Sequence, residues 1–272
     1  MLSINKKSVF YIDSNNKLSS TDTHGNFSVK IEMPPNTKYN RVCLINCLLP
    51  KTYYMVMSGY NTFSLSENGT VSTVTLTPGN YSRSVFLTSI VTALNTASSH
   101  SYTYTASMAS SSQVETGKIN FGVSGNGAIQ PIFIFTTNVN ELFGFNMNSS
   151  NQFTVNALTS ANVIKLQSED CIFIKSNIVA SSTNAVLQEI YTSQVPFLSS
   201  IVFYQVDTEL NAKELNYNNL NVFSFQLTSE SGRIIDFNGI NVLFSIACWQ
   251  HNDTDELVKN NLLIKNLEKI KN

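Results

Sequence analysis

Short stretches in which apolar and polar residues alternate run through most of this chain, with few charged residues between them. At 26–33 the sequence is NFSVKIEM, in which every second residue is apolar. A period of two places one set of side chains on the buried face of a β-strand and the other set in solvent. Only 13% of the 272 residues are charged, against about 25% in an ordinary globular domain. The pattern predicts sheets that meet their surroundings through neutral polar groups.

The number and spacing of these stretches predict an all-β fold, an antiparallel sandwich or barrel of many short strands. Asn-Gly pairs at 68–69 and 238–239, and Gly-Asn-Gly at 125–127, mark tight turns because Asn and Gly tolerate positive φ angles. We expect strands at 8–13, 26–33, 41–49, 60–66, 71–77, 101–107, 118–124, 131–136, 162–166, 171–176, 186–191, 200–207, 221–228 and 240–249.

The period changes at 82–95, where apolar residues recur at helical spacing. This predicts a helix capped by Ser82 or Ser84. A single helical turn is expected at 139–145, and the serine-rich stretch 109–113 is expected to be a loop tip.

We expect one domain, 8–250, followed by a C-terminal amphipathic tail, 251–272. The tail has apolar residues at helical spacing, with lysines beside them. Two interpretations stay open: a helix that packs on the sandwich, or a basic arm that docks on a partner chain. The first residues resemble no signal peptide, and no apolar run approaches the roughly 20 residues of a membrane span. We therefore expect a chain made inside the cell, with no membrane span.

A net charge of −1 leaves the field of the whole protein weak. Long-range attraction to nucleic acid or to an anionic membrane is therefore not built into the composition. Near-zero charge also leaves self-association unopposed by repulsion.

The four cysteines, Cys43, Cys47, Cys171 and Cys248, lie in apolar strand-like runs. We expect buried free thiols, since free cysteine behaves as a small apolar core residue. Cys43 and Cys47 would share one strand face at about 13 Å, which is too far apart for one tetrahedral zinc.

The sequence offers little acid–base or nucleophilic chemistry. His24, His100 and His251 lie in polar, turn-like surroundings without the ligand spacing of a metal site, so each is expected in a surface loop. The sequence contains neither a nucleophile elbow nor a glycine-rich phosphate loop.

Two groups of neighbouring carboxylates are candidates for a catalytic pair or a calcium site. Glu169 and Asp170 are adjacent before a strand and would point to opposite faces, so they do not form the facing pair of a glycosidase. Asp253, Asp255 and Glu256 lack the spacing of a calcium loop and are expected to be solvated. We predict no catalytic, cofactor or metal residues.

Tyrosines are the remaining candidates for recognition. Tyr102 and Tyr104 fall on one strand face, and Tyr53, Tyr54 and Tyr60 lie elsewhere. Such rings can stack on sugars or bases, but packing in the core or an interface is the favoured interpretation.

Four segments in order carry a resemblance to a known family. They are RVCLINCLLPKTYY at 41–54 with GYNTF at 59–63; LTPGNYS at 76–82; QPIFIFTT at 130–137 with LFGF at 142–145 and LTSANV at 158–163; and FQLTSESGRIIDFNGI at 225–240. Together they resemble the penton, or minor capsid, proteins of virophages and Polinton- or Maverick-type elements.

The resemblance implies a jelly roll of two facing four-stranded sheets. It implies a homopentamer at the fivefold vertices of an icosahedral virion assembled inside the host cell, in its cytoplasm, beside double jelly-roll major capsid proteins. No catalytic residue or cofactor comes with it. An insertion within 98–130 is expected to project from the capsid. Lys6, Lys7 and the C-terminal lysines are expected to touch packaged DNA.

Two other functions compete with this one. A carbohydrate- or receptor-binding β-sandwich would need exposed coplanar tyrosines. A β-fold hydrolase would need two carboxylates about 5–9.5 Å apart in a cleft.

Overall fold

The structure, a computed structural model, describes residues 7–34, 39–137, 139–167, 169–180, 185–216 and 221–250. The strands are β1 (Ser8–Asp13), β2 (Asn26–Lys30), β3 (Arg41–Pro50), β4 (Thr62–Glu67), β5 (Thr70–Thr75), β6 (Thr103–Ser111), β7 (Val114–Ser124), β8 (Ile132–Ile134), β9 (Ser150–Gln152), β10 (Ala157–Thr159), β11 (Cys171–Ser176), β12 (Val186–Tyr191), β13 (Ser200–Tyr204), β14 (Lys213–Glu214), β15 (Val222–Thr228) and β16 (Leu243–Trp249). The helices are α1 (Arg83–Ala97) and α2 (Asn140–Phe143). These elements confirm the all-β class.

Eight of these strands form a jelly roll. The first sheet has the order β1-β16-β3-β13, with β14 also paired to β3, and the second sheet has the order β12-β11-β15-β2. All of these pairings are antiparallel. We number the eight main strands of these two sheets 1 to 8 along the chain: β1, β2, β3, β11, β12, β13, β15 and β16. The two sheets then have the orders 1-8-3-6 and 5-4-7-2. This is the arrangement of two Greek keys that defines a jelly roll.

Aromatic side chains fill the space between the two sheets. Phe225 of the second sheet meets Phe244 of the first sheet edge-on, with ring centroids 4.9 Å apart. The ring of Phe27 lies 6.4 Å from the ring of Phe244. All three are buried, with aliphatic residues of both sheets around them. Burial of these rings, together with the aliphatic residues around them, provides the free energy that holds the two sheets together.

The chain between β3 and β11 forms two further sheets with a core of their own. Their strand orders are β5-β4-β8-β9 and β10-β7-β6. Phe133 and Phe121 join the two sheets, with ring centroids 5.2 Å apart, and Phe86 of α1 meets Phe143 of α2 at 5.6 Å. We call residues 51–170 the insertion. It is wider than the 98–130 expected from the sequence, and the domain boundaries stay a prediction.

Both helices form where the sequence predicts them. The Ser82 side chain accepts a hydrogen bond from the Val85 N–H, which caps α1. Every fourth residue from Phe86 to Leu94 is then buried against the sheets. Gly144 ends α2 with a φ of +72°, and a Cβ at this position would lie 2.2 Å from the Asn162 carbonyl oxygen. Only glycine fits this backbone.

Two of the sequence-based assignments are wrong. Residues 162–166 form no strand, because their N–H groups donate to carbonyls of Gly144, Gly117 and Glu141 in three separate places. The serine-rich stretch 109–113 is mostly strand, since β6 continues to Ser111 and the turn is confined to 112–113.

A β-bulge overturns the expectation that Cys43 and Cys47 share one face. The register between β16 and β3 shifts between Ser245 and Ile246. Because β3 has one extra residue at this point, the side chains beyond it point to the opposite face from the one that strict alternation predicts. Cys47 therefore lies in the core between the sheets, whereas Cys43 lies on the outer face with Trp249.

Replacing Phe244 by alanine should lower the free energy of unfolding by about 3–5 kcal/mol, because it leaves a cavity between the sheets. The matched control is Gln226→Ala, an exposed position on β15, which should change the value by less than about 0.5 kcal/mol. Urea unfolding measures both. Equal effects of the two substitutions would contradict the proposed packing.

Candidate interaction surface

The outer face of the first sheet, which points away from the core, is apolar. Its exposed large side chains are Val9 and Tyr11 of β1, Leu243 of β16, Leu48 of β3, and Val202 and Tyr204 of β13. We call these six side chains the apolar face. Tyr11 is 84% exposed and Tyr204 72%. Monomeric proteins rarely leave a contiguous patch of this kind in water unless it is a contact site.

The register of the strands makes the patch continuous. Leu48 of β3 is paired with both Leu243 and Val202, so three apolar side chains form one row across the sheet. The next row has Tyr11 and Tyr204 at its two ends. Side chains opposite each other in a sheet lie about 5 Å apart. The two rows therefore present one surface, with a groove of about 530 Å³ between them.

The other end of the same face is already covered. Trp249, Cys43 and Ala247 are buried there in a small cluster. The Lys7 ammonium lies 4.9 Å from the centre of the Trp249 ring, and its Nζ donates to the Thr208 hydroxyl at 2.8 Å. This cation–π contact fixes the start of β1 beside the end of β16.

The outer face of the second sheet is more polar, although Val222 and Tyr191 are exposed on it. Ser28 of β2 and Ser224 of β15 exchange a hydrogen bond of 2.9 Å on this face. Gln226 and Lys30 flank them in the register. The jelly roll thus has one apolar and one polar outer surface, and these surfaces can be complementary to different partners.

The tyrosines chosen from the sequence lie elsewhere. Tyr102 and Tyr104 are buried in the core of the insertion, and Tyr53 is fully buried in the jelly roll. Tyr60 is partly buried against that core, and Tyr54 packs against Phe197 at 6.2 Å. These five rings form no exposed stacking platform.

Glu169 is part of a buried ion pair where the insertion returns to the jelly roll. Its carboxylate accepts a hydrogen bond from the Arg233 guanidinium, and both side chains are almost fully buried. Burial raises the pKa of Glu169, and the charge of Arg233 opposes that shift. Nearby, the buried Lys51 Nζ donates to the Thr192 carbonyl at 2.7 Å. Glu169 therefore joins two segments of chain, and it does not form a cleft with Asp170.

Glu67 is a second buried carboxylate, and sequence analysis missed it. Its oxygens accept hydrogen bonds from the Tyr104 hydroxyl at 2.7 Å, from Ser98 Oγ and the Ser99 N–H at 2.8 Å, and from the His100 N–H at 3.1 Å. Burial alone would raise the pKa of Glu67, but these donors outweigh it and leave the pKa below its ordinary value. The carboxylate fastens the end of α1 to β4 and β6.

The cysteines and His24 are the remaining candidate residues, and their contacts give them structural roles. Cys43, Cys47, Cys171 and Cys248 are buried free thiols, as predicted, and burial raises the pKa of Cys47 to about 12. His24 shares a hydrogen bond of 2.7 Å with Ser14 Oγ. Among the described residues, no three His, Cys, Asp or Glu side chains come together in a way that would hold a metal ion.

Some predictions fall on residues that the structure does not describe. They concern Lys6, His251, the acidic cluster Asp253, Asp255 and Glu256, and the tail 251–272. In the described part of the chain, neither helix has the length and apolarity needed to cross a membrane.

Comparison with known proteins gives a structural similarity. No protein-family model matches the chain, and no curated protein matches it. Among solved structures, the chain is similar to the crystal structure of the selenomethionine-labelled mavirus penton protein. The match covers 89% of this chain and 99% of that chain, with a TM-score of 0.40 and 10% sequence identity.

Glu67 predicts a specific sensitivity to acid. Because its pKa is lower in the folded chain than in the unfolded one, its stabilising effect is complete above the unfolded value of about 4.3. That effect is lost as the pH falls through the lower folded value. Glu67→Gln should be less stable than the parent at neutral pH, and should lose less stability between about pH 5 and pH 3.

Urea unfolding at several pH values measures this difference. The matched control is Glu115→Gln, which removes an exposed carboxylate from β7 and should keep the acid sensitivity of the parent. If Glu67→Gln unfolded with the same pH dependence as the parent, the described role of Glu67 would be wrong.

Proposed function

We propose that this chain is a non-enzymatic structural protein of a viral capsid. In this proposal five copies form the penton at each fivefold vertex of an icosahedral virion and contact double jelly-roll major capsid proteins. Assembly would take place in the cytoplasm of the host cell. The sequence resemblance suggests the family, and the apolar face is the structural observation that supports assembly.

The jelly roll alone does not decide the function, because lectins and cupins share it with capsid proteins. What favours assembly is the apolar face, in which Leu243, Leu48 and Val202 form an exposed row. A sandwich core needs one apolar face from each sheet. The second apolar face of this sheet contributes nothing to the core, and it has the character of a protein contact.

A ring of identical copies needs two different contact surfaces on each copy. The first sheet offers an apolar outer surface and the second sheet a polar one. The hydroxyl and amide groups of Ser28, Ser224 and Gln226 can pack in a contact without leaving a buried charge unpaired. The two outer surfaces of the jelly roll therefore suit the geometry of a closed ring.

The alternative functions have less support. A carbohydrate- or receptor-binding module would need exposed coplanar tyrosines, and Tyr102 and Tyr104, which share one strand face, are both buried. A hydrolase would need two facing carboxylates, whereas Glu169 is paired with Arg233. Contact of the terminal lysines with DNA stays part of the proposal, with Lys7 already placed over Trp249.

A charge on the apolar face should prevent assembly. Val202→Asp would bury an unpaired carboxylate in the contact, which costs at least about 2 kcal/mol, so assembly should need about thirtyfold more protein. The matched control is Val114→Asp, because Val114 is more exposed than Val202 and lies at the β6–β7 hairpin tip, away from the apolar face. Size-exclusion chromatography with light scattering measures the mass.

The parent and Val114→Asp should reach five times the chain mass of 30.2 kDa, and Val202→Asp should stay monomeric at the same concentration. A parent chain that stays monomeric at every concentration, and does not enter shells formed by the major capsid protein, would contradict the proposed function.

A further inference from the structure

We infer that residues 251–272 cover the apolar face of their own chain before assembly and leave it when a second copy binds. The second half of this inference rests on the proposed function, and the first half does not. The occupant is thus a segment of the same chain, held by apolar contacts across the outer face of the first sheet.

The position from which the segment starts supports this occupant. The described residues end at Gln250, directly after Trp249, the last residue of β16. β16 lies between β1 and β3 in the first sheet. Residues 251–272 therefore leave from the middle of the sheet whose outer face is apolar, and a reversal of direction is enough to bring them over it.

The length of the segment matches the face. β16 has seven residues and is about 20 Å long at 3.3 Å per residue. Residues 254–271, if helical, would span about 27 Å, and 250–253 would remain for the reversal. The four strands of the face are about 15 Å across, and one helix with its side chains is about 10–12 Å wide. One helix laid along β16 therefore covers the middle of both exposed rows, and Tyr11 and Tyr204 at the row ends flank its two sides.

The sequence of residues 251–272 also suits contact with the apolar face. Leu263, Leu267 and Ile270 recur at spacings of four and three, which places them on one side of a helix. Lys265 and Lys269 project from other sides and would stay in water. The apolar face has Asn46 and Ser245 as its central polar side chains, and Asp13 lies at its edge beside Leu243. The Asp13 carboxylate already accepts hydrogen bonds from the Asn15 N–H at 2.8 Å and from Asn241 Nδ2 at 3.1 Å. Docking over the centre of the face would therefore bury apolar and neutral groups.

The two exposed tyrosines of the face allow a direct test. Hydroxyl-radical footprinting measures the oxidation rates of Tyr11 and Tyr204 in the full chain and in a chain that ends at Gln250, at a dilution where light scattering shows monomers. Tyr191 of β12 is 74% exposed and belongs to the second sheet, so it is the internal control. If the covered state holds about nine chains in ten, Tyr11 and Tyr204 should oxidise about tenfold more slowly in the full chain.

Tyr191 should oxidise equally in both chains. A full-length variant, Leu263→Asp with Leu267→Asp, should also oxidise about tenfold faster than the parent at Tyr11 and Tyr204, which tests the cover without shortening the chain. Lys265→Ala should match the parent. Equal rates for Tyr11 and Tyr204 in the parent and in the Leu263→Asp, Leu267→Asp variant would overturn the inference.

The concentration dependence separates this inference from the proposed function. Cover by the chain's own segment is independent of protein concentration. Protection of Tyr11 and Tyr204 that appears only at higher concentration, and persists in the shortened chain, would mean that only a second copy covers the face. This result would overturn the inference. It would leave the proposed function in place. Protection by the segment with no assembly at any concentration would support the docking and contradict the proposed function.

Discussion

The first sheet has apolar side chains on both of its faces, and the rest of the account depends on this property. Each strand sends alternate side chains to opposite sides, so Phe244 enters the core while Leu243 points outward. The inner set closes the sandwich against the second sheet. The outer set has no equivalent partner among the described residues, and an apolar surface in water is stabilised by whatever covers it. This exposed outer set is the observation on which the proposed assembly rests.

Much of the fold could be predicted from the sequence because its signals are local. Alternation predicted the strands, Asn68 and Gly69 predicted a hairpin, and Ser82 predicted the start of α1. The order of strands within each sheet has no local signal, since it is set by pairing between residues far apart in the chain. The jelly roll was expected only through the family resemblance. The bounds of the insertion have no local signal in the sequence either, because its strands alternate in the same way as those of the jelly roll.

The apolar face was harder to predict than the fold. The sequence RVCLINCLL at 41–49 is apolar on both sides of a strand, but that pattern is typical of a strand that is covered on both sides. Period alone does not say which alternate residues of 200–207 point outward. The β-bulge near Asn46 also changes which alternate residues of β3 point outward. Tyr11 and Tyr204 were thus overlooked, whereas Tyr102 and Tyr104, which looked similar in sequence, are core residues.

The most direct test of the central claim is a cryo-electron microscopy map of the assembled protein at side-chain detail. The account predicts a ring of five copies in which Tyr11, Leu48 and Tyr204 are buried against the neighbouring copy. A ring in which these side chains face solvent, with the copies joined through other surfaces, would contradict it.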